Sequence, residues 1–360
     1  MTSHTPGTGG MPPRRRGPSM ADVAREAGVS SQTVSRVSTG RTNVDDLTRE
    51  RVLAAMRKLG YRPNSAARAL RSGQFRNIGI IMFTLSSVGN MRTLDSIAIA
   101  AAHAGYSITL IPVAHPTQGE VSVAFTRLSE QAVDGALIIV EAHLIDETDL
   151  ELPADLPVVV VDSSVEDRYP VVDTDQAQGA RLATEHLLDL GHRTVWHISG
   201  PVSSYSAERR RESWSRTLRA YGRDEPPVIE GDWSTDAGYR AGLALADIPE
   251  ATAVFAANDQ MALGVLRAQH ERGRAVPGRI SVVGFDDMPE SSSFWPPLTT
   301  VHQEFDEVGR HSVDLLVRAI KQGVAQKHPS ETEISGTTRL LVPTRLIVRA
   351  STAPPPEILP

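Results

Sequence analysis

From Asn77 onward, short apolar runs recur along the chain: Ile78–Phe83, Ile108–Val113, Ala136–Val140, Val158–Val161, Val195–Ile198, Ala253–Ala256 and Ile280–Phe285. Helical patterns lie between many of them, such as Ala177–Leu190 and Asp259–Arg272. A strand that is apolar on both faces needs cover on both. Strands alternating with helices meet that need as a parallel sheet with helices on each side. So many runs over roughly 270 residues exceed one minimal sheet, and two α/β lobes are expected.

The chain ahead of Asn77 has a different character. Residues 1–77 hold 14 Lys+Arg against 5 Asp+Glu, a net of +9, while the rest carries −15, which together give the overall −6. A basic head on an acidic body points to a polyanion partner for the head alone. An ordinary solvated basic surface is the alternative. Residues 1–18, rich in Thr, Gly and Pro and containing Arg14-Arg15-Arg16, read as a disordered basic tail.

Three helices are expected next. Ser19 with Asp22 makes a capping box for a helix over Met20–Ala27, and Gly28 permits a tight turn. A second helix begins near Ser30 and runs to Ser38. A third begins near Asp45, carries Leu53, Met56 and Leu59 on one face, and stops at Gly60. In the second helix Val34 and Val37 are spaced to pack inward, leaving Ser31, Gln32, Ser35 and Arg36 outward. That face is polar and lacks acidic groups. Such a helix fits the major groove, where Gln bonds adenine and Arg bonds guanine, while hydroxyls and a helix N-terminus suit phosphates. A small bundle with an ordinary wet face is the other reading.

In the body, polar groups stand at strand and helix ends, where open α/β sheets bind ligands. They include Ala257-Asn258-Asp259, Gly284-Phe285-Asp286-Asp287, Ser203–Ser206 ahead of Arg209-Arg210-Arg211, and Glu230-Gly231-Asp232-Trp233. Carboxylate, amide and guanidinium groups make the directional bonds that sugar hydroxyls need, and an aromatic ring covers a sugar's apolar face.

The stretches Asp22-Val23-Ala24, Ala27-Gly28-Val29-Ser30 and Gln32-Thr33-Val34-Ser35-Arg36-Val37 resemble the lactose-repressor family of bacterial regulators. The likeness runs over residues 19–350 and is dense from Gly200 to Phe305, where it is closest to the family's namesake. It implies an all-α helix-turn-helix headpiece and an α/β, periplasmic-binding-protein-like core of two lobes with parallel sheets, joined by three crossings. The expected divisions are 1–18 tail, 19–62 headpiece, 63–76 hinge helix and linker, 77–350 two-lobed core and 351–360 Pro-rich tail. By the resemblance Ser31, Gln32 and Arg36 are base readers, with Thr33, Ser35 and Asn43 as further DNA contacts. Ser31 stands where the namesake has an aromatic residue. Pro63–Leu70 resembles the family's hinge helix, with Ala67 and Leu70 on DNA and Leu70 wedged into the minor groove; a flexible linker is the alternative. The implied effector residues are Phe83, Ser206, Arg210, Trp233, Asn258, Asp286, Gln303 and Phe305. In the first lobe Phe83 and Thr84 replace small hydroxyl residues. Glu141, His143 or Asp146 could serve as the acidic contact after the strand at Leu137–Val140, or none of them.

The function expected is that of a transcriptional repressor of sugar-utilisation genes, bound to operator DNA as a homodimer and controlled by a sugar or glycoside. An alternative is a sugar-binding transport-type protein, which shares the clamping body but has no use for the first 72 residues. An enzyme is not expected: the sequence has no P-loop, no Gly-x-Ser-x-Gly elbow and no paired-His metal motif. No cofactor, metal or membrane partner is expected. The absence of cysteine, of a signal-peptide pattern and of any apolar stretch of about 18 residues fits a cytoplasmic protein. The tail from Ala353-Pro354-Pro355-Pro356 has no heptads, so a dimer rather than a tetramer is expected.

Overall fold

The computed structural model describes residues 17–38, 43–62, 73–83, 87–113, 118–139, 156–162, 169–325 and 339–356. The chain divides into two compact units, residues 1–74 and 75–360.

The first unit contains α1 (Met20–Ala27), α2 (Ser31–Ser38) and α3 (Asp46–Leu59). The capping box is present: the Asp22 amide donates to the Ser19 hydroxyl at 3.3 Å and the Ser19 amide to the Asp22 carboxylate at 2.9 Å. Gly28, at φ 65°, turns the chain in a left-handed conformation that side-chain-bearing residues avoid. Ser30 caps α2 by accepting from the Thr33 amide at 3.1 Å. Val23, Ala27, Val34, Val37, Val52 and Met56 form the core. Leu53 corrects the sequence reading of α3: it is 39% exposed, whereas Val52 is fully buried. Val52, Ala55, Met56 and Leu59 follow the i, i+3, i+4, i+7 stripe, and Leu53 lies one residue round from its centre.

Among its described residues the second unit holds two six-stranded sheets. The first has the order β11-β5-β4-β3-β1-β2, from β1 (Asn77–Phe83), β2 (Ser107–Val113), β3 (Gly135–Ile139), β4 (Val158–Val161), β5 (Val171–Thr174) and β11 (Arg339–Val342), all paired parallel. The second has the order β12-β10-β9-β8-β6-β7, from β6 (Trp196–Ser199), β7 (Ile229–Glu230), β8 (Ala253–Ala256), β9 (Ser281–Asp286), β10 (Thr299–Gln303) and β12 (Thr344–Ile347). Among the described strands only β12 runs antiparallel to its neighbour, β10. Helices α4 (Val88–His103), α5 (Gln118–Glu130) and α10 (Phe305–Ala325) pack on the first sheet; α6 (Gln176–Asp189), α7 (Tyr205–Ala220), α8 (Thr235–Ala246) and α9 (Asp259–Glu271) belong to the second. Each sheet with its helices is a lobe.

The chain passes between the lobes three times: at Asp175 from β5 to α6, at Glu304 from β10 to α10, and at Pro343 from β11 to β12. These crossings are tied together. The Asp175 amide donates to the Val342 carbonyl at 2.8 Å and the Thr344 amide to Gln178 Oε1 at 2.7 Å. Arg345 pairs with Glu304.

The apolar runs all became strands, each within a residue or two of its expected bounds; Val140 lies outside the described residues. The sequence reading missed β5, β7, β10, β11 and β12. These are short, at sheet edges, or rich in polar residues such as Thr299-Thr300. The second lobe also runs past residue 350. Ser351 is fully buried with its hydroxyl donating to the Val282 carbonyl at 2.6 Å, and the Ala353 amide donates to the Ser281 hydroxyl at 3.0 Å.

Within the second lobe Trp214 is fully buried and its indole N–H donates to the Val195 carbonyl at 2.9 Å. His197 stacks on Trp214 and on Phe255 at 5.2 and 4.8 Å between ring centres and bonds the Phe255 carbonyl through Nδ1. Burial pushes its imidazole down to about 4, so the ring is neutral in the fold. The unfolded chain takes up this proton near pH 6.5. The stability this site contributes is therefore full above about pH 6.5 and is lost as pH falls toward 4. Thermal unfolding from pH 7 to pH 4 is expected to show a loss of up to about 3 kcal/mol in wild type relative to His197→Asn, which keeps a donor but cannot titrate. Parallel curves for the two proteins would contradict this.

Candidate functional site

In both lobes the strands deliver their C-terminal ends, and the starts of the helices that follow, to one cleft of about 540 Å³ including its open mouth. That is the place where open α/β sheets bind ligands.

From the second lobe, α7 supplies Ser206 and Arg210, the loop after β7 supplies Trp233, the start of α9 supplies Asn258, β9 ends in Asp286, and β10 ends in Gln303. Phe305 opens α10 after the second crossing. Seven of the eight expected effector residues thus line one cleft. Phe83 is the exception and corrects the sequence reading. Its ring lies in the apolar cluster with Ile81, Ile111 and Phe125, because the last residues of β1 alternate between the two buried faces of the sheet. Only its carbonyl turns toward the site's neighbours, accepting from Asn90 at 3.2 Å.

Arg210 organises the cleft. It is 4% exposed and donates to Gln176 Oε1 at 2.8 Å and to the Ala257 carbonyl. Its guanidinium lies 3.7 Å from Asp286, 3.7 Å above the centre of the Phe285 ring and 5.5 Å from that of Trp233. Asp286 in turn accepts from Gln303 Nε2 at 2.6 Å. Asn258 serves two ends: its Oδ1 caps α9 by accepting from the Met261 amide at 2.8 Å, and its Nδ2 donates to the Trp233 carbonyl at 3.0 Å. A Cβ on Gly200 would sit 2.3 Å from the Trp233 ring, so the glycine makes room for the indole. Asp162, Trp233 and Asp286 all line the cleft at positive φ, of 56°, 71° and 109°. Such conformations persist only where the surroundings hold them, and they gather at binding sites.

Burial pushes Asp286 up to about 6, against the pull of Arg210. Beneath it Asp259, fully buried, accepts from Thr300 and Ser291 hydroxyls at 2.5 Å each and from the Met288 amide at 2.8 Å. Burial, with Asp286 adding repulsion, pushes Asp259 up to about 7. Gly284 leaves it space: a Cβ there would lie 2.2 Å from its carboxylate.

The sequence reading missed Asp162, Gln176, Asn90 and Thr93, all of which line the cleft. Asp162 directly follows the apolar run Val158–Val161, so the signal was present one strand beyond the place where an acidic residue was sought. Glu141, His143 and Asp146, and Thr84, lie outside the described residues. Among the described residues no group of three or more His, Asp or Glu is placed to hold a metal ion.

In the first unit, Ser31 and Gln32 are exposed on α2, Thr33, Ser35 and Arg36 are half-buried, and the Thr33 hydroxyl lies 3.0 Å from that of Ser30. Asn43 is exposed two residues before Asp45, the cap of α3. Ala67 and Leu70 lie outside the described residues. No helix among the described residues is long and apolar enough to cross a membrane.

The lobes and their cleft define a ligand-binding body of one known kind: residues 184–352 match the periplasmic binding protein-like domain, and residues 19–64 match the bacterial regulatory proteins of the lacI family. The chain belongs to the lacI family of bacterial regulatory proteins. It is 35% identical to the lactose operon repressor of Escherichia coli K12 over 342 residues, 93% of this chain and 90% of that protein. Its fold matches the crystal structure of the Lac repressor dimer bound to operator and the anti-inducer ONPF, with TM-score 0.79, 32% identity, and 94% and 100% of the two chains covered. It also matches the transcriptional regulator CelR in complex with cellobiose, with TM-score 0.68, 30% identity, and 93% and 99% covered.

Removing Arg210 would leave buried carboxylates without their cation. Arg210→Ala is expected to cost about 3–5 kcal/mol in denaturant unfolding, and adding Asp286→Asn should recover part of the loss. Additive losses in the double variant would contradict this coupling.

Proposed function

We propose that the chain is a sequence-specific DNA-binding transcriptional repressor of sugar-utilisation genes, controlled by a sugar or glycoside held between the two lobes. The carrying observation is the convergence of Arg210, Asp286, Gln303 and Asn258 with the rings of Trp233 and Phe305 on one cleft. Such a set offers donors and acceptors to several hydroxyls and flat apolar faces to a sugar ring. A ligand that bonds both lobes favours the arrangement in which they meet it best, and DNA affinity changes by the difference in its affinity for the two arrangements. Ser31, Gln32 and Arg36 read bases, Thr33, Ser35 and Asn43 contact the duplex alongside them, and residues 63–70, with Ala67 and Leu70, serve as the hinge. The protein works in the cytoplasm as a homodimer and catalyses no reaction. Exposed apolar side chains on the second unit support self-association: Met91 and Ile99 on α4, and Trp295, which is 92% exposed.

Fluorescence anisotropy with the promoter region upstream of its own gene tests the first half of the proposal. Tight, sequence-dependent binding is expected, and Arg36→Ala should weaken it by about 1–3 kcal/mol. Weak, sequence-blind binding would overturn it. Titrating the complex with cellobiose, ribose, lactose and other glycosides tests the second half. At least one should change DNA affinity in wild type and fail to do so in Asp286→Asn, whose DNA affinity without sugar should stay near wild type. Sedimentation should show a dimer; a stable tetramer would contradict the assembly proposed.

A further inference from the structure

The pairing of β4 with β5 places two acidic side chains side by side. Val160 and Val161 stand opposite Val171 and Val172, so the residues that follow, Asp162 and Asp173, come level with each other. The Asp162 amide continues the pairing, donating to the Val172 carbonyl at 3.3 Å. Asp173 is buried and Asp162 half-buried, and each keeps one carboxyl oxygen shut away from solvent. In each, Oδ1 has no donor partner. Arg339, on the next strand, donates to the other oxygen of Asp173 at 3.0 Å and to the Tyr205 hydroxyl of the second lobe at 2.5 Å. Asp162 lines the cleft; Asp173 does not.

We infer that Asp162 and Asp173 share one proton in the ligand-free protein, and that Asp173 is thereby the positioning residue that fixes Asp162 and sets the charge it presents to the cleft. Two neighbouring carboxyl groups, each with a shielded oxygen that has no partner, need a donor, and a proton between them satisfies both. Asp173 holds the O–H and Asp162 accepts it. Several groups face the pair, and Arg339 favours the anion at Asp173, against burial and the neighbouring Asp162 carboxylate, which outweigh it. Arg210 and Tyr205 come from α7, Arg339 from β11 and Asp286 from β9; Gln176, the neutral neighbour, comes from α6. Burial and the adjacent Asp162 carboxylate push Asp173 well above the usual carboxylate range; burial raises Asp162 as well, but there Arg210 pulls the other way. The pair is a monoanion whose free lone pairs accept from a ligand hydroxyl. Loss of the shared proton adds a second negative charge and releases Asp162 from its partner. The shared proton depends on the strand pair and not on what binds in the cleft. Only its consequence for ligand affinity, a change of up to about tenfold per pH unit, rests on the effector reading.

The test uses the full-length protein without ligand. Infrared difference spectra of wild type minus Asp173→Asn, and of wild type minus Asp162→Asn, should both show a protonated-carboxyl C=O band at pH 7 that fades as pH rises. A folded acid whose proton is held more tightly than in the unfolded chain loses stability as pH rises. The melting temperature of Asp173→Asn relative to wild type should therefore climb by about 2–4 °C per pH unit above pH 5 until the pair has ionised. A band missing from both differences, or a melting gap that does not change with pH, would overturn the inference. If Asp173→Asn does not fold, Asp162→Asn carries both readouts. A shared-proton band in a protein that binds no sugar would overturn the effector reading and leave this one standing; sugar binding without the band would do the reverse.

Discussion

The cleft depends on one buried cation. Arg210 holds together groups that water would otherwise have to solvate: the Asp286 carboxylate, the side chain of Gln176, and a backbone carbonyl at the end of β8. A guanidinium suits the role because its planar fork donates in several directions at once while its faces lie against Phe285 and Trp233. The charge is not fully neutralised. Burial keeps Asp286 raised despite Arg210, and Asp162 and Asp259 are raised as well. The site is thus a network of buried polar groups that hold one another in place while their carboxyl groups stay raised by burial.

The fold supplies what this arrangement needs. Parallel strands end together, so side chains distant in sequence arrive at one level from β4, β5, β8, β9 and β10. Where strand becomes loop the backbone bends sharply, and Asp162, Trp233 and Asp286 take positive φ there. Glycines remove the obstructions, Gly200 under the indole and Gly284 beside Asp259. The apolar clusters on both faces of each sheet hold these ends in register.

Much of this was legible in the residues. The apolar runs located the central strands because a strand buried on both faces must be apolar throughout. The headpiece was legible because caps and turns have strict chemistry, as Ser19, Asp22 and Gly28 show. The second-lobe residues named by the family resemblance sit in continuous stretches, and the fold brings them to one cleft. What failed depended on long-range pairing. Strands β11 and β12 gain order from neighbours far away in sequence, and Arg339-Leu340-Leu341 carries no alternation to announce it. Phe83 was misplaced because a strand end does not say which face its last ring takes. Asp162 was passed over because its place depends on which strand lies next to which, and periodicity within one strand does not record that.

The three crossings are bound to one another rather than independent: Asp175 to Val342, Thr344 to Gln178, Arg345 to Glu304. A single connecting strand would let two bodies tumble, and two separated ones would define a wide gate. Three tied together restrict that freedom: any shift of one lobe against the other must bend all three connections at once.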